Sequence, residues 1–339
     1  MSIQMVENVI KNNVLAGEKF ITKFVDIGQG SGKLNKGVLQ AEKSDKFIQA
    51  LTSKTVFLDK TKLIVSKNHR RELDTMSFDI ELQAGRMSGT PKVLKDEDYQ
   101  VPTYGNRVFR AEELRALTGI HRTAMKENIE GPGFMNTLTN RFGEANGRAL
   151  ENVLIYGNTA SSADVGKATG YKVVDGILKK LTDDAVINNE TIDLTAADSN
   201  PINEIRHLLD SFPDVYKDDG GLALFCPSSL KRAVRRYVAD NHQSYDVSEV
   251  VITRDGDITV EDVPLIAVPS FSVPKNGYNK KPAILTHKEN IQWLADPENI
   301  IVESDFNLRA NVWDIASTMY ADINFAFPDA SALAWLKEA

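Results

Sequence analysis

Cysteine is nearly absent from these 339 residues: Cys226 stands alone, so no disulfide can form within the chain. It ends the apolar run Leu222-Ala-Leu-Phe-Cys226, where a thiol serves as a small buried hydrophobe rather than a redox or nucleophilic group. Histidine is sparse as well. His69, His121, His207, His242 and His287 are dispersed, and none has the i, i+4 or cysteine-linked spacing of a zinc site. Asp255-Gly256-Asp257 lacks the ligand spacing of a calcium loop, and no Gly-x-Ser-x-Gly elbow occurs. The glycine-rich stretch Gly28 to Leu34 fails as a phosphate loop, because the first glycine position is Ile27 and the hydroxyl position is Leu34. It reads as a hinge. Carboxylate pairs such as Asp183-Asp184 and Asp218-Asp219 lie in polar loops, the ordinary setting of solvated surface. No enzymatic activity, cofactor or metal is therefore expected. Long apolar runs are missing too: none approaches the roughly 18 to 20 residues that cross a bilayer. Met1 to Glu7 shows neither the basic nor the apolar part of an export signal, so the expectation is synthesis in a cytoplasm with no membrane partner.

What is present is ordinary in bulk and unusual in arrangement. With 42% hydrophobic and 26% charged residues, the chain can bury the cores of about two domains of roughly 150 residues each. The net charge of -7 is uneven: residues 1–71 hold 13 Lys and Arg against 6 Asp and Glu, a basic end on an acidic body. That end admits two readings, contact with nucleic acid or an acidic partner, and a solvated helix face. Within it, Val6, Ile10, Val14, Phe20 and Phe24 recur at helical spacing, and Ser44 can cap a helix bearing Phe47, Ile48 and Leu51. Residues 1–52 therefore read as an arm with apolar stripes and no core of its own.

Alternation of Met76, Phe78, Ile80 and Leu82 with Thr75, Ser77, Asp79 and Glu81 predicts a half-buried strand. A polar excursion follows from Gln83 to Asn106, long enough that a compact domain would rarely leave it bare. The clearest helix opens at Gly131-Pro-Gly133 and carries Phe134, Leu138, Phe142, Ala145, Ala149, Val153 and Tyr156 to a stop at Gly157-Asn158. Gly143 and Gly147 each weaken it by about 1 kcal/mol relative to Ala, which suggests close packing there. From 172 to 290 short strands and helices alternate: Asn200-Pro201 starts a helix, 222–226 is a strand, Ser228 caps a second helix, and Asp255-Gly256 turns between two strands. Trp313, Ile315, Met319, Ala321, Ile323, Phe325 and Phe327 then alternate through about 15 residues, a strand of roughly 50 Å. Pro328-Asp329 leads into an expected closing helix with Leu333 and Trp335. On the helix after Ser228, Lys231, Arg232, Arg235 and Arg236 form two basic rows, candidates for contact with phosphate or an acidic neighbour, though a solvated face explains them as well.

In this order several strings resemble the tailed-phage major capsid family, over essentially the whole chain. Glu127-Asn-Ile-Glu-Gly131 leading to Phe134, Leu150-Glu151 and Ile155-Tyr-Gly-Asn-Thr159 are similar to the borders of its spine helix. Val174-Asp-Gly-Ile-Leu178, Ala223-Leu-Phe-Cys-Pro-Ser-Ser-Leu230 and Val263-Pro-Leu-Ile-Ala-Val-Pro269 resemble parts of its axial domain. The resemblance implies an α+β, Hong Kong 97-type fold: arm 1–52, extended loop 66–108, peripheral domain 109–171 and 291–339 with spine helix 132–157, and axial domain 172–290. It implies a loop that lies on a neighbouring subunit, which makes Met76, Phe78, Ile80, Arg86, Met87, Lys92, Lys95 and Tyr99 candidate interface residues. The implied partners are copies of itself in hexamers and pentamers, a separate scaffolding protein, a portal, and double-stranded DNA held by weak non-specific contact. Assembly in a host cytoplasm and residence in the virion capsid follow. An encapsulin-like compartment shares the implied fold, and a cytosolic α/β enzyme or a minor virion protein are the remaining readings.

Overall fold

The computed structural model describes residues 55–77, 82, 86–87, 90–91, 100, 103–123, 134–184, 187–195, 200–217, 220–241, 250–253, 256–296 and 301–337. The expected arm, 1–52, lies outside them. The described chain opens with a short helix, α1 (Val56–Lys60), and strand β1 (Lys62–Val65). An antiparallel ribbon comes next, β2 (Arg70–Ser77) against β5 (Thr103–Arg110), paired residue for residue from Arg70↔Arg110 to Ser77↔Thr103. Between them β3 (Arg86–Met87) pairs with β4 (Thr90–Pro91). Strand β6 (Glu112–His121) and the long helix α2 (Phe134–Tyr156) follow.

The segment after α2 builds six strands of a seven-stranded sheet. In chain order it supplies α3 (Ile177–Asp183), β7 (Ile187–Asp193), α4 (Pro201–Asp210), β8 (Leu222–Cys226), α5 (Ser228–Asp240), β9 (Val250–Ile252), β10 (Ile258–Val260), β11 (Val263–Ala267) and β12 (Lys281–His287). Asn200 caps α4 through its side chain, which accepts from the amides of Ile202 and Asn203 ahead of Pro201 at the first turn. Ser228 is the first residue of α5 rather than its cap; Pro227 holds that position without a side-chain bond. Gly256, at φ +82°, makes the turn between β9 and β10. Strand β8 is buried on both faces, as a continuous apolar run requires. Leu222, Leu224 and Cys226 point into a core under α4 and α5, while Ala223 and Phe225 join a second core with α2 and α3.

The last strands are β13 (Ile291–Ala295), β14 (Ile301–Asn307), β15 (Val312–Phe325) and β16 (Ser331–Lys337). β15, 14 residues long, organises the other sheet. Its first ten residues pair with β6, from Val312↔His121 to Ala321↔Glu112, while β14 and then β13 pair along its opposite edge. β1 adds to β13 in parallel. Ile315, Met319, Ala321, Ile323 and Phe325 bury against α2 in the same core that takes Phe225 and Leu333 from the seven-stranded sheet, so one core serves both sheets.

Two expectations change. The face of α2 turned inward is Gly143, Asn146, Gly147, Leu150 and Leu154, and Ala145 and Ala149 are exposed. Asn146 Nδ2 donates to Ser317 Oγ of β15 at 2.7 Å, so a buried polar pair sits where periodicity placed alanines. The closing helix is a strand. Only Pro328–Ala330 makes a 3-10 turn; Ser331–Lys337 then runs as β16 between β7 and β12, inside the sheet built by residues 172–290. Ala and Leu favour helix locally, but the slot between two strands buries both faces of this segment and overrides that preference.

Asn290 sews the transition between sheets. Its amide nitrogen lies within 3.2 Å of Thr286 Oγ1, Ser331 Oγ and the carbonyls of Phe327 and Ala330, which share its two hydrogens, and its oxygen accepts from the amides of Ala326 and Phe327. The β12–β13 corner and the β15–β16 corner are thereby one unit.

Candidate functional site

The ribbon of β2 and β5 leaves the body at a densely built root. No ladder joins β5 to β15. Side chains stand in for it: Asp322 Oδ2 accepts from the Arg110 amide at 2.7 Å, and Asn324 Nδ2 donates to the Val108 carbonyl at 3.2 Å. Asp322 and Asn324 are 3% and 6% exposed, although alternation with Ile323 and Phe325 assigns them to solvent. The signal that could have exposed this was the pair of polar residues within Ala321-Asp-Ile-Asn-Phe-Ala326, an otherwise apolar stretch.

Helix α3 reaches the same place from the other sheet. Lys180 Nζ donates to Asp322 Oδ1 at 2.8 Å and to the Ile323 carbonyl at 2.5 Å. Asp322 thus has both a cation and an amide, as a buried carboxylate requires. From the ribbon, Arg107 pairs with Asp184 at 2.5 Å, at the end of α3, and lies 4.7 Å over the Phe325 ring. On the β2 side, His69 stacks on Tyr320 at 4.1 Å, faces the buried Asp296 at 3.5 Å, and accepts the Ala111 amide through its carbonyl. Phe109, Ala111, Ile64 and Leu294 form a small core beneath, with Leu73 against it.

Among the described residues farther along the ribbon, Asp74, Met76, Gly105 and Asn106 are exposed. Met76, expected on the covered face of a strand, is 53% exposed on β2. Arg86 and Met87 form β3, with side chains outside the description; Phe78, Ile80, Lys92, Lys95 and Tyr99 lie outside the described residues. The structure therefore places Met76 on the ribbon and leaves the grouping of the others open.

The basic rows of α5 separate. Lys231 pairs with Asp257 at 3.4 Å and Arg235 donates to the Gly256 carbonyl at 3.0 Å, so that row grips the β9–β10 turn. Arg232 and Arg236 face outward, Arg232 donating to the Ser228 carbonyl one turn back.

Two of the strings that carried the resemblance meet in space. The Gly176 amide donates to the Gly157 carbonyl at 2.9 Å, and Asp175 accepts from the Thr159 amide and hydroxyl at 2.8 and 2.9 Å. A Cβ on Gly157 would sit 2.1 Å from the Val174 carbonyl oxygen, so only glycine fits the end of α2 there. Glu151, 2% exposed on α2, ties three segments: it accepts from the Phe57 amide at 3.0 Å, from Leu58, and from the Ser270 hydroxyl at 2.5 Å. Burial, the largest influence, pushes its carboxyl above the usual range, against the pull of those donors. Burial likewise pushes the Cys226 thiol up to about 12. Sequence reasoning passed over Glu151 because one acid on a helix carries no pattern.

An open cleft between α3 and the loop at 276–278 is lined by Asn158, Ser161, Lys179, Asp183, Tyr278 and Trp335. Lys179 and Asp183 neutralise each other there, and Tyr278 is pushed up to about 12, first by burial. Among the described residues no three His, Cys, Asp or Glu side chains gather as metal ligands, and no helix is long and apolar enough to cross a membrane.

No family model matches the sequence, and no curated protein does. Solved structures match over nearly the whole chain. One is the satellite phage P4 procapsid including its size determination protein, at 12% identity and TM-score 0.57, covering 87% of this chain and all of that one. Another is the capsid of the native GTA particle, at 13% identity and TM-score 0.53, covering 91% and 95%. The chain has the fold of a phage capsid protein. The same capsid fold extends to the holo-SrpI encapsulin complex from Synechococcus elongatus PCC 7942, at 12% identity and TM-score 0.50, covering 91% of this chain and 92% of that one.

Proposed function

We propose that this chain is the major capsid protein of a tailed phage, which self-assembles through hexamers and pentamers into the icosahedral shell around double-stranded DNA. The observation that carries the reading is the likeness to procapsid and capsid subunits along nearly the full length of both chains. The ribbon agrees with it: a projecting strand pair with Met76 bare is short of partners within one copy and gains them from another. In this reading 66–108 is the extended loop of a Hong Kong 97-type subunit, α2 its spine helix, residues 172–290 its axial domain, and 109–171 with 291–328 its peripheral domain. β16 belongs with the axial sheet. A separate scaffolding protein and a portal complete the assembly set, and the acidic body holds the genome only weakly. Each interface is modest, and closed symmetry multiplies it.

Expression of the chain with its neighbouring genes, followed by negative-stain microscopy, tests the reading. Closed shells are expected. Deleting Gly85 to Asn106 should leave a folded, soluble body that forms none, and normal particles from that deletion would refute the loop assignment. A second reading, an encapsulin-like compartment, is favoured by the likeness to the SrpI complex. Purified particles separate the two by content: packaged DNA for the first, a co-purifying protein cargo for the second.

A further inference from the structure

We propose that the polar cluster at the ribbon root, the buried Asp322 and Asn324 with the half-buried Lys180 and Arg107, fixes the direction in which the ribbon leaves the subunit, and through it the curvature of the shell. The inference rests on the capsid reading for its second half and on the subunit alone for its first.

A backbone ladder between β5 and β15 would set the ribbon in the plane of the sheet, as it sets β6. Here the ladder stops at Ala321. Carboxylate and amide arms of Asp322 and Asn324 replace backbone partners, so β5 is held at the end of side chains and departs from the sheet. The choice of angle then falls to the groups that hold those arms. Lys180 grips Asp322 from α3, and Arg107 crosses to Asp184, which caps the end of that helix, and to Phe325 on β15. Arg107 ties the ribbon to α3 and β15 directly, and Lys180 holds in place the Asp322 arm that the ribbon rests on. Asp322 and Lys180 are 4% and 19% exposed at the side chain, which keeps the pair little screened and its geometry narrow. Because copies meet through the ribbon, a change of a few degrees at the root repeats at every subunit contact around a ring, and closure depends on that repeat. These are positioning residues: none needs to touch the neighbouring copy.

Spin labels on Met76→Cys and Val215→Cys report the ribbon against the 3-10 turn Asp214–Tyr216 that leads into β8, since both native side chains are exposed, at 53% and 82%. Cys226, fully buried, stays unlabelled. In dilute unassembled full-length subunits the distance distribution is expected to be narrow. Lys180→Met and Asp322→Asn should each broaden it, and the double variant, which removes both charges, should narrow it again. Should either single variant fail to fold, Arg107→Ala serves alone, because it strands no buried charge; it should broaden the distribution, and Arg107→Lys should restore part of the order. In assembly reactions the broadened variants should give particles of scattered diameter or open sheets. A distribution unchanged in Arg107→Ala, or shells of uniform wild-type diameter from variants with broadened ribbons, would overturn the proposal. Wild-type subunits that form no shell, with a narrow distribution that the variants still broaden, would count against the capsid reading and uphold the root.

Discussion

Glu151 is a carboxylate with three hydrogen-bond donors and, among the described residues, no cation paired with it, and its titration should be visible in stability. Its folded carboxyl is raised above the ordinary 4.5, first by desolvation, so between that value and the raised one the folded chain holds a proton that the unfolded chain has released. This group's contribution is therefore complete below about pH 4.5 and declines as pH rises through the folded value. Glu151→Gln cannot ionise. Relative to wild type it should gain stability as the pH is taken from about 4.5 to neutrality, measured by urea midpoints at each pH. A gap between the two proteins that is constant with pH would mean the carboxyl is not buried as described. The residue-level lesson extends to Asn146, Asn290 and Asp322, buried polar groups that no periodicity singles out because their partners lie on other elements or at chain corners.

At the scale of elements, β16 offers a sharp test of strand against helix. Leu333 packs into the core shared by both sheets, whereas its neighbour Ala334 packs into the core under α4 and α5. Leu333→Ala should cost about 2–5 kcal/mol from the cavity it leaves. Ala334→Leu should cost about 1–3 kcal/mol from overpacking on the other side. Both are read from equilibrium unfolding; a surface helix would tolerate at least one of them. The elements that could be read in sequence were those whose own pattern matches their burial: β15 by its alternation, β8 by its unbroken apolar run, α4 by Asn200-Pro201, and the β9–β10 turn by Asp255-Gly256. Those that could not, such as β1, β13 and β16, take their conformation from the strands beside them. The ribbon was legible as a strand at Met76 and as an excursion beyond, but its root was not. Asp322 and Lys180 are 142 residues apart, and only the fold makes them neighbours.

For the whole molecule, the decisive fact is that Phe225, Leu333, Ile315 and Phe325 share one core although they belong to two sheets. Domains that divide a core in this way should not melt separately. A soluble form lacking Gly85 to Asn106 should show a single calorimetric transition, with equal calorimetric and van't Hoff enthalpies. Two resolved transitions would show that the sheets are independent after all. The uneven charge, 13 cations against 6 anions in the first 71 residues, supplies no such test on its own, since contact with nucleic acid and plain solvation both accommodate it.

The stitching by Asn290 carries a mechanical corollary. With the two corners locked to each other through one amide group, the sheets have no free axle about which to turn. If a shell built from this subunit alters its shape, the body should travel as a rigid tile while the grout between tiles, the ribbons, takes up the bend.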